Sequence, residues 1–482
     1  MRAFGYSLPT AIADLVDNSI SAGARNVEVE FDWEGPASVI RVADDGRGMD
    51  EKALIEAMRL GSRSPLEVRS ADDLGRFGLG LKSAAWSQAR SLTVVSRALG
   101  ASPVARRWDL DYVTETRRWS LLDGSEGASA QAERWFAGRP SGAIVVLESL
   151  DRLVGPQPPD DEAARGRFLA SVAGVDRHLA MVFHRFLAGR NAVSIKVNGR
   201  AVEPWDPFLE SHPATQRLPT EILAVASARV EVHPFVLPHV SKLSADEHRR
   251  AAGPSGWNAH QGFYVYRGRR LLVAGGWLGL PRMQREEHNK LARIRVDLDN
   301  SLDELWQIDV RKATARIPGV LQPDFRRIAE STRARAADVY RYRGKTVARS
   351  GERQTGLRFV WERVRQREGA HVFRVNRKHP VLAAMSDQPD AVRAAVERAL
   401  RLVEENLPVE AIVLESRERP EIEARTPFSD DPAGVGRMLR EAHSAMVRAG
   451  TEPVLALAAL AAAEPFDAFP EIVQALREEI GP

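Results

Sequence analysis

Asp14 and Asn18 stand four residues apart in Ala13-Asp14-Leu15-Val16-Asp17-Asn18, a spacing that puts a carboxylate and a carboxamide on one helix face. Together they suit hydrolysis of a nucleoside triphosphate. The acid orients and deprotonates an attacking water, and the amide oxygen binds magnesium beside the phosphates. Taken alone, the pair also fits the exposed polar face of an amphipathic helix. Asp45 precedes two glycines in Asp45-Gly46-Arg47-Gly48-Met49. A buried carboxylate there accepts a hydrogen bond from the exocyclic amine of adenine, while Gly46 and Gly48 let the backbone approach the base. Met49 offers polarizable apolar surface to the ring. A plain Asp-Gly turn is the alternative. The third stretch is Gly75-Arg76-Phe77-Gly78-Leu79-Gly80-Leu81-Lys82-Ser83. Its glycines free backbone amides at a helix start to cradle phosphates and form a lid, with Phe77, Leu79, Leu81 and Lys82 in the same binding segment. A dinucleotide-binding loop is the rival, but a charged loop leads into these glycines where that fold needs an apolar strand.

The elements that must hold these residues are legible. Residues 7–22 read as a helix, with Ser7 as N-cap, Pro9 in the first turn and Leu8, Ile12, Leu15 and Val16 on one face. Gly23 ends it. Val27, Val29 and Phe31 alternate as a strand, 39–42 follows as its partner, and 44–48 is a turn. A helix over 51–60 leads into a polar loop, 61–73, and a further helix follows Gly80. Strands are expected at 92–96, 107–111 and 144–148. This order favours a two-layer α/β sandwich over a βαβ repeat. Residues 155–162 read as a linker, 167–187 as a helix and 193–197 as a strand turned by Asn198-Gly199. Strands at 229–236, 262–266, 270–274 and 292–298 suggest a second α/β domain. Helix over 326–348, extended segments at 359–367 and 371–376, and helices at 388–406 and 433–480 complete the reading.

Bulk properties exclude several classes. With 482 residues, 44 % hydrophobic and 28 % charged, the chain has the composition of a globular protein of about three domains. The sequence has no run of about 18 apolar residues and no signal-peptide pattern, so no membrane role and a cytoplasmic location are expected. With no cysteine, disulfides, thiolate-bound zinc and thiol catalysis drop out. A net charge of +3 does not argue for nucleic acid. Of the 68 basic residues only 8 are lysines, so a lysine inside a motif is less easily put down to chance.

In this order, within seventy residues, the three motifs resemble the GHKL ATPases: gyrase, HSP-type chaperones, histidine kinases and MutL. The resemblance implies a Bergerat two-layer α/β sandwich, ATP and Mg2+, with Asp14 as the catalytic acid, Asn18 on the metal, Asp45 on adenine and the glycines as lid. Two departures stand out. The family's general base is usually glutamate; aspartate ends about 1.5 Å short, which implies slow hydrolysis. The usual Gly-Thr before the last strand is Gly142-Ala143, so a water is expected in place of the threonine hydroxyl.

The first and third motifs are most similar to the MORC form, and 261–267 with 270–272 resembles a strand pair of the MORC and MutL second domain. That likeness extends to prokaryotic MORC/MutL-like ATPases of restriction and phage-defence islands. It implies a GHKL domain over 1–154, an S5-like transducer over 160–325 and a mixed, then helical region of unknown role over 326–482. The transducer is expected to donate Lys312 to the γ-phosphate, with Lys290 and Arg311 in reserve. It also implies an ATP-gated homodimeric clamp working with DNA or DNA-processing proteins. Met1 stands thirteen residues before Asp14, so either a longer start or a clamp without the family's N-terminal strap is expected. Other readings are a non-hydrolysing scaffold, an HSP-like chaperone lacking the expected acidic linker, and a sensor kinase lacking an upstream phosphoacceptor hairpin. Arg374 to His379 is a basic run that suits either nucleic acid or a solvated loop.

Overall fold

The computed structural model describes residues 5–59, 80–124, 134–225, 228–303, 305–308, 315–341, 358–365, 371–409, 427–428 and 430–480. The chain forms two compact units, Met1–His239 with Leu243–Arg341, and Val240–Lys242 with Tyr342–Pro482.

The first unit begins with helix α1 (Leu8–Ser21), whose N-cap Ser7 accepts a hydrogen bond from the Thr10 amide. Its Leu8, Ala11, Ile12, Leu15 and Val16 are buried, as their helical spacing requires. Gly23, at φ +80°, turns the chain into β1 (Asn26–Asp32). There Val27, Val29 and Phe31 face the core, one residue in two. Next come β2 (Val39–Asp44) and α2 (Glu51–Met58), which Asp50 caps by accepting from the Ala53 amide at 2.8 Å. Then follow α3 (Gly80–Gln88), β3 (Ser91–Arg97), β4 (Val104–Asp109) and α4 (Leu110–Thr116). The strand expected at 107–111 stops at Asp109 because that carboxylate accepts from the Asp111 and Tyr112 amides and starts α4. Short β5 (Leu122–Asp123), β6 (Gly142–Glu148), α5 (Glu162–Val182), β7 (Ser194–Val197) and β8 (Arg200–Ala201) complete this part.

These strands form one eight-stranded sheet in the order β5-β4-β3-β6-β2-β1-β7-β8. Its pairs are antiparallel except β1 with β7, which run parallel with Asn26 opposite Ser194. Helices α1, α3 and α5 share a core with it, where Ile12, Val29, Trp86, Phe168, Leu179 and Ile195 are buried together. The two-layer sandwich is as the sequence suggests, but its extent differs. The expected boundary at 154–160 cuts through this core: α5 packs on α1, and β7 extends the sheet from the β1 edge.

A second sheet follows, built from β9 (Gln216–Arg217), β10 (Glu221–Val225), β11 (Ala228–Val236), β12 (Gly262–Arg267), β13 (Arg270–Ala274) and β14 (Ala292–Leu298). Its order is β10-β11-β14-β12-β13, with β9 on β11, and β12 and β14 run parallel. Helix α6 (Ala245–Ala252) carries a capping box, and α7 (Gln322–Arg341) lays Phe325, Ile328 and Ala329 into the core of Phe263, Ile294 and Trp306. Helix α7 was expected to open the C-terminal region; its apolar face places it with the second sheet instead.

The second unit contains the hairpin β15 (Trp361–Arg365) and β16 (His371–Val375), then α8 (Asp390–Glu405), α9 (Pro432–Arg448), α10 (Pro453–Ala461) and α11 (Pro470–Ile480). Val435, Leu439, Leu460, Phe466 and Val473 form its core. Among the described residues no helix is long and apolar enough to cross a membrane.

Candidate nucleotide site

Helix α1 brings Asp14 and Asn18 to one end of the first sheet. Asp14 is buried, and its Oδ2 accepts a hydrogen bond from the Tyr6 hydroxyl at 2.9 Å. Asn18, one turn on, is exposed. The start of α3 comes up against this helix: a Cβ added to Gly80 would stand 4.0 Å from Asp14 Oδ2. The N-terminal turn of a nine-residue helix, with its amides and partial positive charge, therefore lies beside the acid.

The buried carboxylate expected at Asp45 belongs to its neighbour, Asp44. Along β2 the inward side chains are Ile40, Val42 and then Asp44, so the strand's period of two turns Asp44 toward α1 and Asp45 away. Asp44 accepts from the Ser19 hydroxyl and from the Gly46 amide, each at 2.9 Å. Burial raises its pKa. The Gly46 and Ser19 hydrogen bonds oppose that rise, and the Asp45 charge adds to it. Asp45 instead accepts from the Arg25 amide at 2.7 Å, the Asn26 amide at 2.8 Å and the Asn26 side chain at 2.6 Å. Partial burial pushes its pKa up, but these bonds outweigh it and the net shift is downward. Asp45 thus caps the start of β1.

The glycines after Asp44 are needed for space. A Cβ on Gly46 would come within 3.0 Å of Asp44 Oδ1 and 2.9 Å of the Ala22 Cβ. Gly48, at φ +64°, lies so close to the Arg97 carbonyl that a Cβ would overlap it. Met49 is half-buried against the first core, and its amide donates to the Ser96 hydroxyl at 2.8 Å. The hydroxyl expected to be lost at Ala143 is supplied to the carboxylate from α1, by Ser19. Leu81 packs on the same core.

Lys82 departs from its expected place on phosphate. Its side chain is buried and donates to the carbonyls of Ala57, at 2.9 Å, and Arg59, at the C-terminal end of α2. Burial lowers its pKa to about 8, against the pull of Glu56. Lys290 is held by Glu287 over the Tyr340 ring, within its own loop. Gly75, Phe77, Gly78, Leu79, Arg311, Lys312 and the loop 61–73 lie outside the described residues.

The donor set fits ATP and magnesium. Asp44 accepts at both oxygens, from Ser19 and Gly46, and an adenine amine would share the lone pairs that remain. Asn18 offers an exposed amide oxygen. Among the described residues no cluster of three His, Cys, Asp or Glu could hold a metal ion. Sequence reasoning missed Tyr6, Ser19 and Asp44; the alternation of β2 carried the signal for Asp44.

Known proteins resemble the part of the chain that carries this site. Residues 6–133 match the family described as histidine kinase-, DNA gyrase B-, and HSP90-like ATPase. Residues 6–133 thus form a domain of GHKL ATPase type. The curated proteins similar to the chain include MutL and MORC proteins. The DNA mismatch repair protein MutL of Shewanella piezotolerans is 27 % identical over 263 residues, 53 % of this chain and 38 % of that protein. The Halobacterium salinarum MutL is 31 % identical over 197 residues, 40 % of this chain and 26 % of that one. ATPase morc-1 of Caenorhabditis elegans is 33 % identical over 91 residues, 19 % of this chain and 10 % of that one. The chain thus spans well under half the length of each of these relatives. The ATPase and transducer domains of DNA topoisomerase II from Balamuthia mandrillaris align at TM-score 0.36 and 12 % identity, over 68 % of this chain and 85 % of that one.

Proposed function

We propose that this chain binds ATP with magnesium between α1, the turn after β2 and the start of α3, hydrolyses it slowly, and acts as an ATP-gated homodimeric clamp in a DNA-related process of bacterial defence or repair. The observation that carries the nucleotide reading is Asp44: a buried carboxylate, held from α1 by Ser19, with Gly46 against it where an added Cβ would crowd Ala22 and the carboxylate itself. Adenine recognition belongs to Asp44, with Gly46, Gly48 and Met49 around the base. Asn18 holds the magnesium, which neutralises phosphate charge when bound. Gly80 and the backbone amides that open α3 face the phosphates, with Leu81 anchoring that turn on the core, and Gly75, Phe77, Gly78 and Leu79 precede them in sequence as the lid. Asp14 receives the proton of the attacking water. Lys312 is the candidate for the γ-phosphate, from a second domain of S5-like transducer type.

Slow turnover has two supports: Asp14 is one methylene short, and Tyr6 already occupies one of its oxygens. Phosphate release from the wild type and from Asp14→Asn tests this. A clear drop in the variant supports hydrolysis; equal background rates favour a non-hydrolysing switch. Oligomeric state with a non-hydrolysable ATP analogue tests the clamp, and a chain monomeric with and without it refutes that part. The DNA association comes from the MutL relatives, whose name is that of a mismatch repair protein. Filter binding at low and high salt tests it, and no retention at low salt removes it. The Arg374 to His379 run gives it no support: Arg377 pairs with Glu397 and Glu404, Arg374 with Glu404, and His379 is buried.

A further inference from the structure

Asp17 lies between the two polar residues of α1, next to Asn18 and one turn from Asp14, yet it points elsewhere. Its Oδ1 accepts from Arg270 Nε at 2.9 Å, with the two side chains only 1 % and 5 % exposed. Arg270 is the first residue of β13, the edge strand of the second sheet. Its guanidinium is held three ways. Nε goes to Asp17, Nη1 donates to the Leu271 carbonyl at 2.6 Å, and the Phe183 ring covers its face at 4.5 Å. Phe183 is itself fully buried at the end of α5, the helix that packs on both α1 and β13. His178, on α5, is kept neutral there: burial and then the Arg270 charge lower its pKa to about 4.

A charge-assisted bond in so dry a setting is short, directional and poorly extensible. Helix α1 is a continuous fourteen-residue rod, so a shift at Asn18 is a shift at Asp17. Because the Arg270 head is fixed on the other side by its own strand and by Phe183, that shift is passed to the β12–β13 hairpin or the pair breaks. Ordinary core packing between two domains needs no ion pair, and apolar residues of similar volume are often equally stable there.

We propose that Arg270 is a positioning residue for the nucleotide site: through Asp17 it ties the helix carrying Asp14 and Asn18 to the second sheet, so that nucleotide occupancy and the β12–β13 hairpin move together. This rests on the nucleotide reading above. The coupling is reciprocal, and a partner that grips the hairpin changes nucleotide affinity by the same factor.

Hydrogen exchange on the full chain, with and without a non-hydrolysable ATP analogue and magnesium, tests it. In the wild type the analogue slows exchange in 8–21 and also in 262–274. In Asp17→Leu/Arg270→Met, which removes both charges together, analogue affinity stays within about 3-fold and 8–21 remains protected. Protection of 262–274 is lost, and the kcat for phosphate release falls about 10-fold with KM changing less than 3-fold. Arg270→Lys keeps the charge but not the planar Nε donor; it folds and binds the analogue, with the response of 262–274 at least halved. The inference is overturned, with the nucleotide reading intact, if the analogue protects 8–21 but not 262–274 in the wild type, or if either variant keeps the full response of 262–274. A wild type that shows no analogue binding and no protection of 8–21 overturns the nucleotide reading, and this inference with it.

Discussion

The nucleotide end of the first sheet and the interior of the second sheet treat charge in opposite ways. In the second sheet Arg293 is wholly buried. It donates to the carbonyls of Pro207 and Ala251 at 2.9 and 3.0 Å, with the rings of Trp205, Trp257 and Tyr264 around it. Arg267 is bonded to Asp303 at 2.8 Å. His184 and His260 are held neutral: burial first, then Arg185 and Arg293 respectively, lower both pKa values to about 3. At the nucleotide end, Asn18 is exposed, Asp44 accepts from the Ser19 hydroxyl and the Gly46 amide, and Gly46 lies close against its carboxylate. Burial of polar groups alone therefore does not mark a site here. What distinguishes the candidate site is a buried acid held by a helix hydroxyl and a turn amide, beside a glycine with little room for a side chain.

The largest effect that separates the two regions is expected from Arg293→Ala, which strips ring and carbonyl contacts together. Urea unfolding should show a loss of about 3–5 kcal/mol, with analogue affinity per folded molecule unchanged. An affinity loss comparable to the stability loss would erase the distinction. Asp44→Ala should do the reverse. Titration with a fluorescent ATP analogue should show about 2–3 kcal/mol, or roughly 30–150-fold, of lost affinity. A change under 3-fold would transfer adenine recognition away from Asp44.

Lys82 gives a third contrast, as a cation buried on helix carbonyls at the edge of the site. Its native pKa of about 8 lies below the 10.5 of the unfolded chain, so between these values the unfolded state binds more protons. Stability should rise with pH across that window by up to about 3 kcal/mol and be flat below it. Lys82→Met should remove the slope, and an unchanged slope would assign it to other groups. The smallest effect is expected from Asp45→Ala, which loses capping bonds at the start of β1 for about 1 kcal/mol in unfolding experiments. Its analogue affinity should change less than 3-fold. A larger loss would return adenine recognition to Asp45.

Local signals carried much of this architecture. The periodicity of 7–22, the alternation in β1 and the Asn198-Gly199 turn, at φ +45° and +76°, fall where the sequence puts them. The buried acid was legible too, because Ile40, Val42 and Asp44 share one strand face, but the Asp-Gly pair drew the reading to Asp45. What the sequence does not display is long-range pairing. Nothing near residue 194 announces a parallel partner at residue 26, and Asp17 and Arg270 are 253 residues apart. Lys82 was misplaced for a related reason: its acceptors are carbonyls of another helix, which have no sequence signature.

The parallel pairing of β1 with β7 also sets a timetable for synthesis. A chain emerging from the ribosome holds the whole β1–β6 part of the first sheet some fifty residues before β7 exists. Over that interval the β1 edge and the α1 face meant for α5 are bare, apolar and open to the wrong partner. A fragment ended at residue 154 would be frozen in that state and is expected to aggregate, whereas one carried past Ala201 closes both surfaces. The point at which this ATPase domain becomes safe to leave alone is thus set by a four-residue strand far downstream of its nucleotide motifs.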